Sequence, residues 1–247
     1  MKVREIQAKS ILSKSEVYEY AVNPYVGCSH GCVYCYAKFM KRFTGHRENW
    51  GEFVDVKINA PELVAREIRR KHPGRVWISG VCDPYQPIEK KYKLTRRCIE
   101  VLVDNVWPVT VQTKSPLVVR DADILKRSPE AEVCLTITTA DEKIRRILEP
   151  GAPRIEKRIE ALGILHSEGI RTLVMVAPVL PGAEGLASRL EGKVDHALID
   201  RLNYHYADRL YKQHGLQWAM EESYFRETAV KMTSEFEKLG IPCEVLF

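Results

Sequence analysis

Short apolar runs rich in β-branched residues recur along the chain, with helix-period stretches between them. Val76-Trp77-Ile78-Ser79-Gly80 is the first clear run, and Val109–Thr113, Val133–Thr138 and Thr172–Ala177 follow it. Each is short and nearly continuous in apolar residues, which predicts strands covered on both faces. A helix is expected over Ala60 to Arg70, with Asn59 as N-cap, Pro61 in the first turn and Glu62 at the capping-box position. A second is expected over Arg154 to Glu168, where Ile155, Ile159, Leu162 and Leu165 form an apolar stripe and Gly169 stops the helix. Strand, helix and strand at these intervals is the pattern of βαβ units in a parallel sheet. An open doubly wound sheet and a closed or partial barrel both satisfy it.

An earlier strand over Glu16 to Val22 leads into a group of cysteines and places them in the loop after that strand. In parallel α/β folds the loops at the carboxyl ends of strands carry the ligands. Past Pro181 the pattern loosens. Asp195 to Leu202 reads as a sixth strand, Tyr204 to His214 and Tyr224 to Leu239 as helices, and Cys243 to Phe247 as a short terminal strand. No stretch rich in Gly, Pro or Ser marks a linker. Residues 1–247 are therefore read as one domain, with a core over about 16–182 and a C-terminal extension over about 183–247.

Composition narrows the class. At 45% hydrophobic and 29% charged residues the 247-residue chain is neither disordered nor low in complexity. A net charge of +5 does not by itself imply a nucleic-acid binder, but it leaves room for a basic patch on one face. The first twenty residues carry charges throughout and no long apolar run occurs, so neither a signal peptide nor a membrane span is expected and the protein is read as cytoplasmic. Seven cysteines, an odd number without an export signal, favour metal or redox chemistry over a disulfide framework.

Three of the seven, Cys28, Cys32 and Cys35, form a Cys-x3-Cys-x2-Cys segment with glycines at 27 and 31. Thiolates this close converge on one soft centre only if the loop wraps around it, and Gly27 and Gly31 permit the positive φ that wrapping needs. A four-iron cluster held by three cysteines keeps one iron open to a non-protein ligand. A structural zinc site would need a fourth ligand, which His30 or His46 could supply, although zinc sites usually pair ligands from two separated segments. Three inert buried thiols at this spacing are the poorest explanation.

With Tyr34 directly before the third cysteine, the segment resembles the signature of the radical S-adenosylmethionine superfamily. More closely, Asn23-Pro24-Tyr25 before it, His30-Gly31 within it and Tyr36-Ala37 after it resemble the family of spore photoproduct lyase and its DNA-repair-photolyase-like relatives. Asp83-Pro84-Tyr85-Gln86-Pro87, Thr113-Lys114-Ser115, Leu148-Glu149-Pro150 and Ala177-Pro178-Val179-Leu180-Pro181-Gly182 agree with that family in the same order. The resemblance implies a partial (β/α)6 TIM-like barrel of the radical S-adenosylmethionine type, with a [4Fe-4S] cluster on Cys28, Cys32 and Cys35. It also implies S-adenosyl-L-methionine as cofactor, cleaved reductively to a 5′-deoxyadenosyl radical, and an external electron donor such as a flavodoxin or ferredoxin.

Site roles follow from strand ends. The turn at Gly80, with Cys82 and Asp83 after it, is expected to touch the methionine amine, since glycine lets backbone approach a ligand closely. By resemblance, Lys114 pairs with the cofactor carboxylate, Thr136 faces the ribose, Ala177 offers backbone groups to the adenine, and Tyr34 packs beside it. Tyr34 and Tyr36 also correspond to tyrosines linked with hydrogen-atom relay in the lyase. Cys82 lies near, without coinciding with, the lyase's hydrogen-donating cysteine, and a weak S–H bond can give hydrogen to a carbon radical. Cys98 and Cys134 read as core thiols. Some of the polar residues Asp83, Tyr85, Gln86, Glu89, Arg96, Arg120 and Glu149 are expected to be ion pairs that tie loops together, and none is singled out as a substrate ligand. The substrate is unassigned, with a nucleic acid lesion as one candidate. The competing reading is a non-catalytic iron–sulfur or zinc module that binds nucleic acid through Lys38, Lys41, Arg42, His46 and Arg47.

Overall fold

A computed structural model describes all of residues 1–247. Its strands, in chain order, are β1 (Lys2–Ile6), β2 (Leu12–Lys14), β3 (Tyr20–Val22), β4 (Tyr25–Val26), β5 (Phe53–Lys57), β6 (Val76–Ile78), β7 (Val109–Thr113), β8 (Glu132–Thr136), β9 (Arg171–Val176), β10 (His196–Ile199) and β11 (Cys243–Val245). The main sheet has eight strands in the order β11-β10-β9-β8-β7-β6-β3-β2. From β3 to β11 every pairing is parallel and spatial order follows chain order, while β2 alone runs antiparallel. A doubly wound sheet reverses its order at a switch point. The unreversed order here is barrel-type winding, left open because β2 and β11 each have one neighbour. The fold is the partial α/β barrel.

Register divides each strand into two faces. Val22, Ile78, Val111 and Val133 form one row across the sheet, and Leu135, Val174 and Ala197 another. These residues pack in a single core with the helices Ala60–Ile68, Leu94–Asp104, Ile155–Ser167 and Glu222–Lys238. The opposite face carries the rows Trp77–Thr110–Glu132, Gln112–Cys134–Leu173 and Thr136–Met175–Leu198. Trp77, Gln112, Met175 and Leu198 are only half-buried. Coverage on both faces, as expected, is complete at β8, every residue of which is buried, while β6, β7 and β9 are partly open on this second face. Large or amphipathic side chains line a cleft there, and in sequence they continue the apolar pattern.

A second sheet, β1-β5-β4, lies outside the main one. Neither β1 nor β5 was expected, because β1 (KVREI) is charged and exposed, and β5 buries Asp55 between apolar neighbours. Arg4 chelates Asp55 through Nε at 2.9 Å and Nη2 at 2.6 Å. The sheet matters for function because β4 runs directly into Gly27 and Cys28.

Three further expectations are corrected. Asn59 precedes the helix Ala60–Ile68 without capping it: its side chain accepts from Ala8 N and donates to Ala8 O, both at 2.9 Å. Glu62 pairs with Arg97 at 2.6 Å instead of forming a capping box. Tyr204 to His214 divides into a 3-10 turn, His205–Ala207, and a helix, Asp208–Gln213.

Candidate active site

The cysteine loop is held by backbone geometry and by a few buried polar side chains. Gly27 has φ +85°, and a Cβ there would stand 2.4 Å from Phe53 O, so only glycine fits. Gln86, fully buried, donates to Gly27 O at 3.1 Å and accepts from Ser29 N at 2.9 Å, clamping both sides of Cys28. Val33 N reaches Leu148 O at 2.9 Å, and Gly151 N reaches His30 O at 2.9 Å. Cys28 and Cys32 are 7% exposed. Burial raises all three thiols, Cys32 to about 12. Metal-free, they stay protonated at neutral pH, so ligation must release their protons.

Of the two histidines weighed as a fourth ligand, His46 is not available. His46 is engaged through both ring nitrogens, Nδ1 with Glu48 at 3.0 Å and Nε2 with Asp55 at 2.8 Å. His30 turns Nδ1 toward Asp83 Oδ2 at 3.3 Å. The cysteines and nearby residues do not converge on a point that could hold a single ion. The buried indole N–H of Trp50, near Cys35, has no hydrogen-bond partner. Three thiols from one loop, a spare donor beside one of them and no fourth protein ligand fit a four-iron cluster with one open iron.

Strand ends bring the other expected residues to the same rim. After β6, Asn23 Oδ1 accepts from Gly80 N at 3.1 Å, from Val81 N at 3.0 Å and from the Ser79 hydroxyl, while Gly80 O accepts from the Tyr36 hydroxyl. Asp83 is occupied by protein donors: Thr113 Oγ1 at 2.6 Å, Lys114 N at 2.7 Å and Tyr85 N at 2.9 Å. Burial pushes its carboxyl up, but His30 and these donors prevail and hold it at about 2. The Cys82 thiol, 3.1 Å from Ser79 Oγ, packs beside Tyr25, Val54, Val56 and Leu94, and burial raises it to about 11. It faces the small sheet. Thr136 Oγ1 accepts from Gln112 Nε2 at 3.5 Å, which Trp77 Nε1 fixes through Gln112 Oε1 at 3.1 Å. Ala177 directly follows β9 and is half-buried.

The least expected feature is a buried charge centre at Glu149. Its carboxylate accepts from Arg158 Nη2 at 2.6 Å, from Thr138 Oγ1 at 3.0 Å and from the Tyr34 hydroxyl. Lys114 Nζ stands 3.6 Å from it and 5.8 Å above the Tyr34 ring. Glu149 and Arg158 side chains are 0% exposed. Two cations against one carboxylate leave a positive excess beside Cys32, suited to an anionic ligand. Arg158 was not singled out in sequence, since its basic side chain sits in an ordinary amphipathic helix.

The C-terminal stretch completes the rim. Ala207, Tyr211 and Ala219 form one buried cluster with Cys32 and Tyr34, and Cys35, Leu202 and Tyr224 pack against it. Tyr36 stacks on Tyr204 at 6.0 Å and 22°, and Tyr204 on Tyr206 at 5.9 Å and 7°. All three rings are exposed, and Lys38 Nζ lies 5.4 Å from the Tyr206 ring.

A partial parallel barrel whose rim carries a three-cysteine loop, with a lysine beside it able to meet a ligand's carboxylate, fits an iron–sulfur enzyme that works with a carboxylate-bearing cofactor. The sequence profile of the radical SAM superfamily matches residues 22–184, and the chain belongs to that family. Its class uses a [4Fe-4S] cluster and S-adenosylmethionine. An uncharacterized protein of Methanocaldococcus jannaschii is 37% identical over 184 residues, covering 73% of this chain and 69% of that one. The radical SAM Nalpha-GlyT isomerase of Pseudomonas phage M6 is 29% identical over 161 residues, covering 64% of this chain and 33% of that one. Spore photoproduct lyase complexed with dinucleoside spore photoproduct shares the fold at TM-score 0.73 and 16% identity, over 99% of this chain and 82% of that one. No helix is long and apolar enough to cross a membrane.

Proposed function

We propose that this radical SAM enzyme abstracts a hydrogen atom from a nucleic-acid component presented at the tyrosine-lined rim. Cys28, Cys32 and Cys35 would hold the cluster, and Lys114, the Gly80 turn, Thr136 and Ala177 the S-adenosylmethionine. When bound, these groups supply a 5′-deoxyadenosyl radical that takes hydrogen from carbon. The chain's residues position and shield. Lys114, held by Glu149, offers its ammonium to the cofactor carboxylate; the Gly80 turn, held by Asn23 and Tyr36, fixes the methionine end; Leu202 to Tyr224 cover the cysteine loop against water. Tyr34 and Tyr36 hold hydroxyl hydrogens near the site, on Glu149 and Gly80 O respectively, and are the residues assigned to hydrogen-atom relay. A reducing compartment such as the cytoplasm would suit seven cysteines of which none is disulfide-bonded.

The observation that carries the substrate class is the exposed stack Tyr36–Tyr204–Tyr206 with Lys38 beside it, since aromatic faces with adjacent cations bind unpaired bases. The lyase that shares the fold is solved with a dinucleoside bound, which supports the same class. Binding of a fluorescent single-stranded oligonucleotide to wild type and Tyr204→Ala tests it. The variant should lose about 1–3 kcal/mol, some 5- to 150-fold in affinity. Equal affinities, or no binding by either protein, would remove the nucleic-acid reading and leave the enzyme class standing.

A further inference from the structure

We infer that the basic ridge after the third cysteine, Lys41 to Arg47 with Phe43 at its crest, is the docking surface for an acidic one-electron carrier protein. The inference rests on the enzyme class, whose cluster is reduced from outside, and not on the nucleic-acid reading. The 3-10 helix Tyr36–Phe43 begins immediately after Cys35. From Tyr36 to Arg47 the chain holds Lys38, Lys41, Arg42 and Arg47 and no Asp or Glu. Lys38 faces the tyrosine stack, while Lys41 and Arg42 donate to the carbonyls of Arg47 and Phe39 and, like Arg47, are in no ion pair. Arg42 lies 5.9 Å over Phe39 and 5.8 Å over Phe43, and Phe43 is 73% exposed. An exposed aromatic beside Arg is the composition of an interface anchor, and the unpaired cations around it would steer an acidic partner.

Two observations favour a protein over a nucleic acid here. Phe39 and Phe43 meet edge to face, at 6.5 Å and 87°, so they present no stacked pair of flat faces to a base, unlike the tyrosines. The two ends of the helix also point to different parts of the molecule. Tyr36 reaches Gly80 at the barrel rim, while at the other end Thr44 O accepts from Arg4 Nη2 of the small sheet at 3.0 Å. A carrier seated on Phe43 therefore leaves the rim free, which reduction with substrate in place requires. In the step itself the carrier is oxidised by one electron and the cluster reduced by one; no covalent bond changes.

The test uses the reconstituted full chain in stopped flow, following bleaching of the cluster absorbance with either reduced flavodoxin or dithionite as electron source. Arg42→Glu/Arg47→Glu should slow flavodoxin-driven reduction about tenfold or more, and added salt should slow the wild type likewise. Dithionite should reduce both proteins at the same rate, showing that the variant's fold and cluster are intact. Phe43→Ala, which keeps every charge, should slow only the flavodoxin reaction and decides the matter if the charge reversal disturbs cluster assembly. Flavodoxin rates equal to wild type in both variants would overturn the inference. So would a loss of oligonucleotide binding with flavodoxin rates unchanged, which would give the ridge to nucleic acid.

Discussion

Replacing Glu149 by Gln should cost about 3–5 kcal/mol of folding stability, for reasons that two routes reach separately. Glu149 and Arg158 are both fully buried and bonded at 2.6 Å, and removing one partner of such a pair leaves the other charge uncompensated, at about 3–5 kcal/mol. The carboxyl's own titration gives a similar figure. Burial pushes it up, but Arg158, Lys114 and the hydroxyl of Tyr34 overcome that and bring it from 4.5 to about 2. That drop corresponds to about 3 kcal/mol. Because the folded value is depressed, this stability is complete above pH 4.5 and is lost as pH falls through about 2. Thermal unfolding of wild type and Glu149→Gln, from neutral pH to the lowest pH at which both fold, reads both effects. The variant should melt roughly 10 °C lower at pH 7 and lose less stability than wild type on acidification. Adding Arg158→Met should recover much of the loss, since the uncompensated charge goes with it. A variant within about 1 kcal/mol of wild type, with the same acid slope, would refute the claim that this pair governs the site's stability.

Three other substitutions separate the roles of neighbouring groups. Lys114→Met should weaken S-adenosylmethionine binding to the reconstituted protein about 10- to 100-fold by calorimetry, the worth of one charge-assisted hydrogen bond, with a smaller effect on melting than Glu149→Gln. Gly27→Ala should prevent cluster assembly, read as iron per chain, because its Cβ would overlap Phe53 O at 2.4 Å in a backbone with φ +85°. Cys82→Ala should leave both cofactor cleavage and product formation intact, because the thiol packs against Tyr25 and Ser79 on the side of the small sheet; loss of product alone would restore its hydrogen-donor role.

The sequence is informative where local chemistry sets structure. Val109–Thr113 reads as β7 residue for residue because four of its five residues are β-branched strand formers. The cysteine spacing is equally explicit, since three thiols in one loop with glycines between them have few structural uses. Contacts made across long sequence separations are another matter. Glu149, Arg158, Thr138, Lys114 and Tyr34 come from five segments, and only the winding of the barrel brings them together. Tyr204 and Tyr206 fall in a stretch that reads as the start of a helix and forms a 3-10 turn instead, and nothing local shows that they stack on Tyr36. The small sheet stays hidden because β1 carries mostly exposed polar residues, and the Arg4–Asp55 pair that secures it joins residues 51 apart.

The central claim is that three thiols on this rim support reductive cleavage of S-adenosylmethionine. Anaerobic reconstitution with iron and sulfide, followed by dithionite and S-adenosylmethionine, with chromatography for 5′-deoxyadenosine, tests it most directly. Wild type should hold about four irons per chain and form deoxyadenosine, and Cys32→Ala should form none. Deoxyadenosine at the wild-type level from Cys32→Ala, or a wild-type chain that takes up zinc tightly and cleaves nothing, would contradict it.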